Sequence, residues 1–549
     1  MLNKILDNMN SNYKELFIVY VRYFYKRDDI KDVKLIDVNE EEMTLLLNEN
    51  EKVRIKFTHK IEIENIHFEM IKIVKMIGNN PNENKPEYIK EFMHSKNKME
   101  KKDISDLRNH PSENNNVKLL NSEEKGEFEK RFKSHADSSG VVSDYFRKTK
   151  KMISEEELFK FLANTSKEEK GVIYVHIPYC DKICSFCNLN RKQLDNDLEE
   201  YTDFLISEFE KYGKTSYMKS KKIEVIFFGG GTPTILNENQ MERIFKIIHK
   251  NYNISENCEF TFETTLHNLN FDKLKVMEKY GVNRLSVGIQ SFSNKGRNIL
   301  NRTFSKEETV KRLGELKENF KGMVCTDIIY NYPNQTLKEV IEDANIISSL
   351  KIDSTSFYSL MIYEGSQMSR NIKENNLKLD YQLEIDRKLH HAFLNQLLET
   401  EEYEVMEHTK IVRKDRDKYN YIRYTHQGYD ILPLGIGAGG KLGNIDIFRM
   451  SKEKAFYMMC DNEKISKEER KLKKISGLFQ YPVVYFSDLK EYISIEMFNE
   501  IYKLFENFEK KGYMKLSDTN LELTVEGIFW GNNIGSTVLK KCLGGYINK

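Results

Sequence analysis

Between residues 171 and 360 the chain alternates short, nearly continuous apolar runs with longer amphipathic ones. The apolar runs fall at 172–177, 223–228, 260–263, 284–287, 324–329 and 356–360. The segments between them, such as 199–212, 240–249 and 340–350, repeat apolar residues at helical spacing. Near-continuous apolar strands belong to a parallel sheet covered by helices, and regular strand–helix alternation builds such a sheet. Six units predict an α/β fold, an open (β/α)6 barrel, over residues 171–445. In this architecture the working residues sit at the C-terminal strand ends.

The flanks read differently. Residues 5–24 have helical spacing, 33–38, 43–47 and 53–57 read as strands, and 67–76 as a second amphipathic helix. These predict a small α+β domain over 1–78. The polar, Asn- and Pro-bearing stretch 79–125 has few large apolar residues and reads as a flexible linker. A lead-in segment covers 126–170. After about 445 the pattern is mainly helical, with one strand-like segment at 521–524, and predicts a C-terminal cap domain over 446–549.

Charge excludes some functions. In 549 residues, Lys and Arg number 86 and Asp and Glu 85, so no basic surplus argues for nucleic acid binding. No apolar run reaches the length that spans a bilayer, and the N-terminal run 16–21 is broken by Arg22. The expectation is a cytoplasmic protein.

Cys180-x-x-x-Cys184-x-x-Cys187 directly follows the first predicted strand. A structural zinc site wants four ligands, usually in paired knuckles, and no second knuckle exists. Cys258, Cys325, Cys460 and Cys542 are scattered singly, and an odd cysteine count without a signal peptide argues against a disulfide framework. Three thiolates on one tight loop can instead hold three irons of a [4Fe-4S] cube. The fourth iron stays open to chelate an amine and a carboxylate, as S-adenosylmethionine (SAM) presents them. Gly229-Gly230-Gly231-Thr232 ends the second strand, where missing side chains leave backbone free to meet a ligand. Tyr174 and His176 share one face of the first strand, facing either a core or the site. Glu263, Gln290, Arg302 and Asp327 end or follow later strands. Burying such groups is costly without partners, which favours ligand binding at one rim. The glycine-rich loop 435–440 is either a ligand loop or a simple connection.

Tyr-Val-His-Ile-Pro-Tyr-Cys (174–180), Phe-Gly-Gly-Gly-Thr-Pro-Thr (228–234) and Leu-Ser-Val-Gly-Ile-Gln-Ser-Phe (285–292) together resemble the coproporphyrinogen-dehydrogenase-like branch of radical SAM proteins. The resemblance implies two SAM molecules. Tyr174, Gly230 and Glu263 would meet the first, and Phe186, Gly231, Thr232, Gln290, Arg302 and Asp327 the second. Met361 and Gly439 fall at the remaining SAM-lining positions. Oxygen-independent coproporphyrinogen dehydrogenases carry a further cysteine two residues after the third, where this chain has Leu189. Glu407-His408, Tyr419-Asn420, Gln427-Gly428, 437–440 and 523–530 resemble the haem-degrading ChuW/HutW group, the anaerobilin synthases. The N-terminal region, through Met9-Asn10, 20–24, 35–37 and 53–57, resembles a domain attached to haem-utilisation split-barrel proteins, with Tyr13 where that family commonly has histidine.

The resemblance implies an enzyme that opens haem without oxygen and transfers a methyl group from SAM, giving a linear tetrapyrrole and free iron. It implies haem as substrate and an electron donor such as flavodoxin or ferredoxin. The N-terminal domain is a candidate for homo-oligomer contacts. His408, His176 and then His135 are candidate haem ligands. Coproporphyrinogen decarboxylation and a haem chaperone remain the alternatives.

Overall fold

The computed structural model describes residues 29–39, 42–48, 50–56, 128–187, 189, 191–374, 377–379 and 381–547, with positions 6, 10, 17, 18 and 21 before them. The expected helix at 67–76, the linker at 79–125 and Tyr13 lie outside the described residues. The chain divides into two compact units, Met1–Asn114 and Asn115–Lys549.

The first unit holds an antiparallel meander, Val33–Val38, Glu42–Leu47 and Glu51–Lys56. Its alternation buries Met43, Leu45 and Leu47 on one face. A bulge between Leu35 and Asp37 shifts the phase, so that Val33, Leu35 and Val38 all reach the core. Asn10 accepts from the Leu35 N–H (2.7 Å) and donates to its carbonyl (2.8 Å), pairing with the strand edge through its amide.

The second unit is built on six parallel strands: β1 (Lys170–Ile177), β2 (Lys222–Gly230), β3 (Asn253–Thr264), β4 (Arg284–Gln290), β5 (Met323–Tyr330) and β6 (Ser354–Ser359). Each lies beside its predecessor, which is the winding of a barrel. Period-two alternation gives every strand two faces. Ile173, Val175 and Ile177 of β1, Ile226 and Phe228 of β2, Phe260 and Phe262 of β3 and Leu285, Val287 and Ile289 of β4 join the main apolar core under the helices. The stack of Phe228 on Phe262, 4.8 Å between ring centres, belongs to this layer. The opposite face carries Tyr174, His176, Phe227, Glu263, Ser286, Asp327 and Ser356, a largely polar interior.

The barrel does not close strand to strand. The free edge of β1 takes Ile431–Leu434 in parallel, and the free edge of β6 takes Lys410–Arg413 antiparallel. The segment between these two strands supplies the floor. There Arg284, fully buried at the start of β4, donates to Asp417 (Nη2, 2.8 Å). Asp417 also accepts from Ser354 Oγ (2.5 Å) and from the Tyr419 N–H (2.9 Å). Glu259 of β3 accepts from the backbone N–H groups of Asn420 (2.6 Å) and Tyr421 (3.2 Å), which opens the short helix Asn420–His426. Tyr421 then stacks on Phe227, 4.3 Å centre to centre, inside the barrel.

Beyond Ile431–Leu434 the same sheet runs on through Gly439–Leu442, Ile445–Arg449, Ala455–Met459 and Lys151–Ile153, all antiparallel. It thus crosses residue 445 and takes in part of the lead-in. The chain ends in the helices Glu463–Leu478, Ile495–Lys510 and Gly531–Ile547 around a three-stranded sheet whose central strand is Asn520–Leu523. Among the described residues no helix is long and apolar enough to cross a membrane.

Candidate active site

The loop after β1 is fixed before any ligand is considered. Tyr179–Cys180 pairs with Lys192–Gln193, and Leu194 N–H donates to the Cys180 carbonyl at 2.8 Å. Farther along, Ser185 Oγ donates to Ile299 O (2.7 Å), Asn301 Nδ2 to Ile183 O (2.8 Å) and Met368 N–H to Ser185 O (2.8 Å). Asp181 is held from the β3 side by His267 Nε2 (2.8 Å) and Asn268 Nδ2 (3.0 Å). An irregular loop staked at so many points presents its side chains in one arrangement.

Cys180 is buried, and Cys184 and Cys187 are half-buried; none is in a disulfide. Burial pushes the Cys180 thiol up to about 11, with Cys187 and Cys184 adding to the rise. Burial also raises Cys187, against the Leu189 N–H and the Arg191 charge. The thiols therefore share one neighbourhood, and binding a cation there must release protons. Thr232 Oγ1 approaches Cys180 Sγ (3.5 Å), and Arg302 Nη1 donates to Cys184 Sγ (2.7 Å). Arg302 also donates to the Gly288 carbonyl. Three thiols with hydrogen-bond donors aimed at two of them fit a cluster held by three cysteines.

The glycines at the end of β2 serve the protein's own packing. Gly230 has φ +109°, and a Cβ there would stand 2.6 Å from the His176 ring. Tyr174 Oη meets His176 Nδ1 at 2.9 Å, and Glu263 accepts from the Gly230 N–H at 3.1 Å. Asp327 accepts from Ser286 Oγ at 3.2 Å. Burial, then the nearby Asp327 charge, lift the Glu263 carboxyl to about 8. Glu263 thus holds a proton at neutral pH that it would release in the unfolded chain, where its value is 4.5. Its contribution to stability is complete below about 4.5 and is lost as pH rises through about 8. Glu263→Gln should therefore melt with the parent protein near pH 4.5 and clearly above it near pH 9, by several kcal/mol at roughly 1.4 kcal/mol per pH unit. Thermal unfolding of cluster-free protein at the two pH values checks this; a gap that does not widen with pH would contradict it.

The structure thus joins Tyr174, His176, Gly230, Glu263 and Asp327 in one group, and Cys180 with Thr232 and Cys184 with Arg302 in another. Phe186 packs against the apolar cluster of Leu300, Ile329 and Leu360. Gln290 sits at φ +72° beside Gly288, and Met361 Sδ accepts from Tyr363 Oη (3.3 Å). Gly439 is set apart: it is exposed in its strand, with Phe448 and Ile447 as nearest neighbours.

Residues 174–347 match the model of the radical SAM superfamily. That span contains the cysteine loop and the strands β2 to β5. The central domain is a radical SAM domain. The chain is 24% identical over 388 residues to anaerobilin synthase of Escherichia coli O157:H7, covering 68% of this chain and 85% of that protein. It is 27% identical over 376 residues to heme chaperone HemW of Buchnera aphidicola subsp. Schizaphis graminum, covering 66% and 96%. Its fold is similar to the solved structure of coproporphyrinogen III oxidase (HemN) from Escherichia coli, with TM-score 0.60 at 20% identity, covering 70% and 93%. A radical SAM domain works with a [4Fe-4S] cluster and SAM, and the thiols and donors described above fit that pair.

Beside the radical SAM domain lies a histidine cluster that sequence reasoning resolved only in pieces. Glu407, nearly fully buried, faces His135 Nε2 at 3.5 Å, and His135 Nδ1 meets Gln480 Oε1. The His135 ring lies edge-on to His426, 5.8 Å between centres. Burial works against the Glu407 charge, but the hydrogen bond and charge of His135 win and hold its carboxyl down at about 2. His408 points elsewhere: its buried ring packs on Gly531. Burial drops it to about 3, so it is a neutral imidazole. Glu407 stood out only as part of a family-like segment and Gln480 not at all, because their partner His135 lies hundreds of residues away.

Proposed function

We propose that this chain is a radical SAM enzyme that opens haem anaerobically, transferring a methyl group from SAM and leaving a linear tetrapyrrole and free iron. In this reading Cys180, Cys184 and Cys187 hold the [4Fe-4S] cluster. Tyr174, Gly230 and Glu263 meet a first SAM, and Phe186, Gly231, Thr232, Gln290, Arg302 and Asp327 a second. The cluster and SAM, when bound, supply a radical source and a methyl donor, with electrons from a donor of the flavodoxin or ferredoxin class. The chain's own part is positional. The staked loop fixes the thiols, and the protonated Glu263 offers a neutral hydrogen-bonding group. The walls of Tyr174, Phe227 and Tyr421 keep water from the interior, which matters where a reactive carbon centre forms.

The observation that carries the haem reading is a convergence. Two segments that resemble the haem-degrading group, Glu407-His408 and 523–530, lie far apart in sequence and meet in space. His408 N–H donates to Gln480 O (3.1 Å) and its ring packs on Gly531, next to Trp530. The match to anaerobilin synthase and the missing fourth cysteine point the same way.

The test is anaerobic turnover with reconstituted cluster, haem, SAM and a reductant, read by absorbance and mass spectrometry. The Soret band should bleach, chelatable iron should appear, and the product should carry label from methyl-labelled SAM. Intact haem recovered after many SAM cleavages would sink ring opening and favour a chaperone. Vinyl products from coproporphyrinogen would favour decarboxylation.

A further inference from the structure

The lead-in segment has no regular structure between residues 128 and 134, yet it is held at several points. Phe128 packs among Phe508, Tyr513 and Trp530. Asn533 Nδ2 donates to Lys130 O (2.7 Å), and Phe132 N–H donates to Asn533 Oδ1 (2.8 Å). Asn532 Nδ2 donates to Phe132 O (3.3 Å). Ser134 and Asp137 then form a reciprocal cap that starts the helix His135–Arg147.

This fixed strand of chain carries two cations with opposite fates. Arg131 is buried and matched: it donates to Asp386 (3.1 Å), to Tyr330 Oη (2.5 Å) and to Phe529 O (3.0 Å), and lies 4.0 Å over the Phe529 ring. Lys133 is half-buried and unmatched. Its ammonium donates to the Leu360 carbonyl (3.0 Å) and sits 4.0 Å over the Tyr381 ring. Among the described residues no carboxylate stands within ion-pair distance of it. Burial, followed by the opposing effects of Asp386 and Arg131, brings Lys133 down to about 8. An ammonium withdrawn from water without a counter-ion is costly, and the cost is offset when an anion arrives.

The place of Lys133 tells which anion. Leu360 directly follows β6, at the C-terminal rim where the barrel opens, and its neighbour is Met361. The Leu360 side chain belongs to the same apolar cluster that receives Phe186 of the cysteine loop. Lys133 therefore stands at the mouth of the radical SAM site, with an apolar surface beside it and an N–H donor to spare. An apolar surface with one cation at its edge suits a flat hydrophobic molecule bearing a carboxylate.

We propose that Lys133 is a specificity-determining residue that pairs with a propionate-type carboxylate of the tetrapyrrole substrate at the rim of the barrel. This rests on the tetrapyrrole reading above. The lead-in segment is then a part of the active site, and its many anchors serve to hold one ammonium in register with β6.

The experiment compares binding of haem with binding of haem dimethyl ester, in which both carboxylates are masked, by absorbance titration of the full-length protein. The parent protein should bind the diacid more tightly than the diester. Lys133→Met should weaken the diacid roughly 10- to 100-fold, leave the diester unchanged, and so erase the discrimination. Lys133→Arg, which keeps the charge, should retain most of it and controls for folding. If Lys133→Met discriminates as strongly as the parent, the assignment of Lys133 is wrong while the haem reading stands. If the parent binds neither ligand, the haem reading itself falls.

Discussion

Replacement of Cys180, Cys184 or Cys187 by Ala, one at a time, should remove the broad visible absorption of the reconstituted protein and all SAM cleavage. In the proposed reading each of these thiols is one of three ligands, and a cube held by two cysteines has two open irons and little to keep it. The loop itself should survive each change. Its position comes from the Ser185, Asn301, Met368 and Asp181 contacts, not from the thiols. Cys258→Ala and Cys460→Ala are the matched controls, buried and remote from the loop, and should leave both signals intact. Iron and sulfide content, the visible spectrum and 5′-deoxyadenosine release decide the matter. A single loop mutant that keeps a full cluster and turnover would overturn the assignment.

A second large effect belongs to the floor. Asp417→Ala should cost roughly 3–5 kcal/mol in unfolding free energy, because it leaves the Arg284 charge buried and unpaired. It also orphans Ser354 Oγ and the Tyr419 N–H. The fully buried Arg284 has no route to water, so local adjustment cannot rescue it. An Arg284→Met, Asp417→Leu double change should recover much of the loss, since it removes both charges and keeps the volume. Urea unfolding of the three proteins measures this. A single mutant within about 1 kcal/mol of the parent would show that the pair does not hold the floor.

The six barrel strands were legible because their outward faces are packed by helices and even their inward faces are covered. That produces apolar-rich runs broken only by the inward-facing polar residues such as Ser286, Asp327 and Ser356. The strands Gly439–Leu442, Ile445–Arg449 and Ala455–Met459 were not legible. They pair antiparallel near a sheet edge, where Phe448 is exposed, Lys441 and Asp446 are tolerated, and no run stands out. The cysteine loop was readable from spacing alone. The second role of the glycine triplet was not: that Gly230 makes room for the His176 ring follows from register between β1 and β2. Tyr419 was marked only as part of a family-like segment and Tyr421 only by its aromatic character, so that they fill the interior was not readable. Their placement depends on Glu259 and Asp417, which are neighbours only after folding. The same holds for His135 and Lys133, whose partners Glu407, Gln480, Leu360 and Tyr381 lie hundreds of residues later in the chain.

The anchoring of the lead-in by Asn532 and Asn533 spans about four hundred residues of chain. Protein synthesis runs from the N-terminus, and a segment held in part by the last helix is not fully secured until that helix leaves the ribosome. The barrel can wind as its strands emerge, but its rim is finished last. A nascent chain therefore carries its thiol loop well before the lead-in is fully secured.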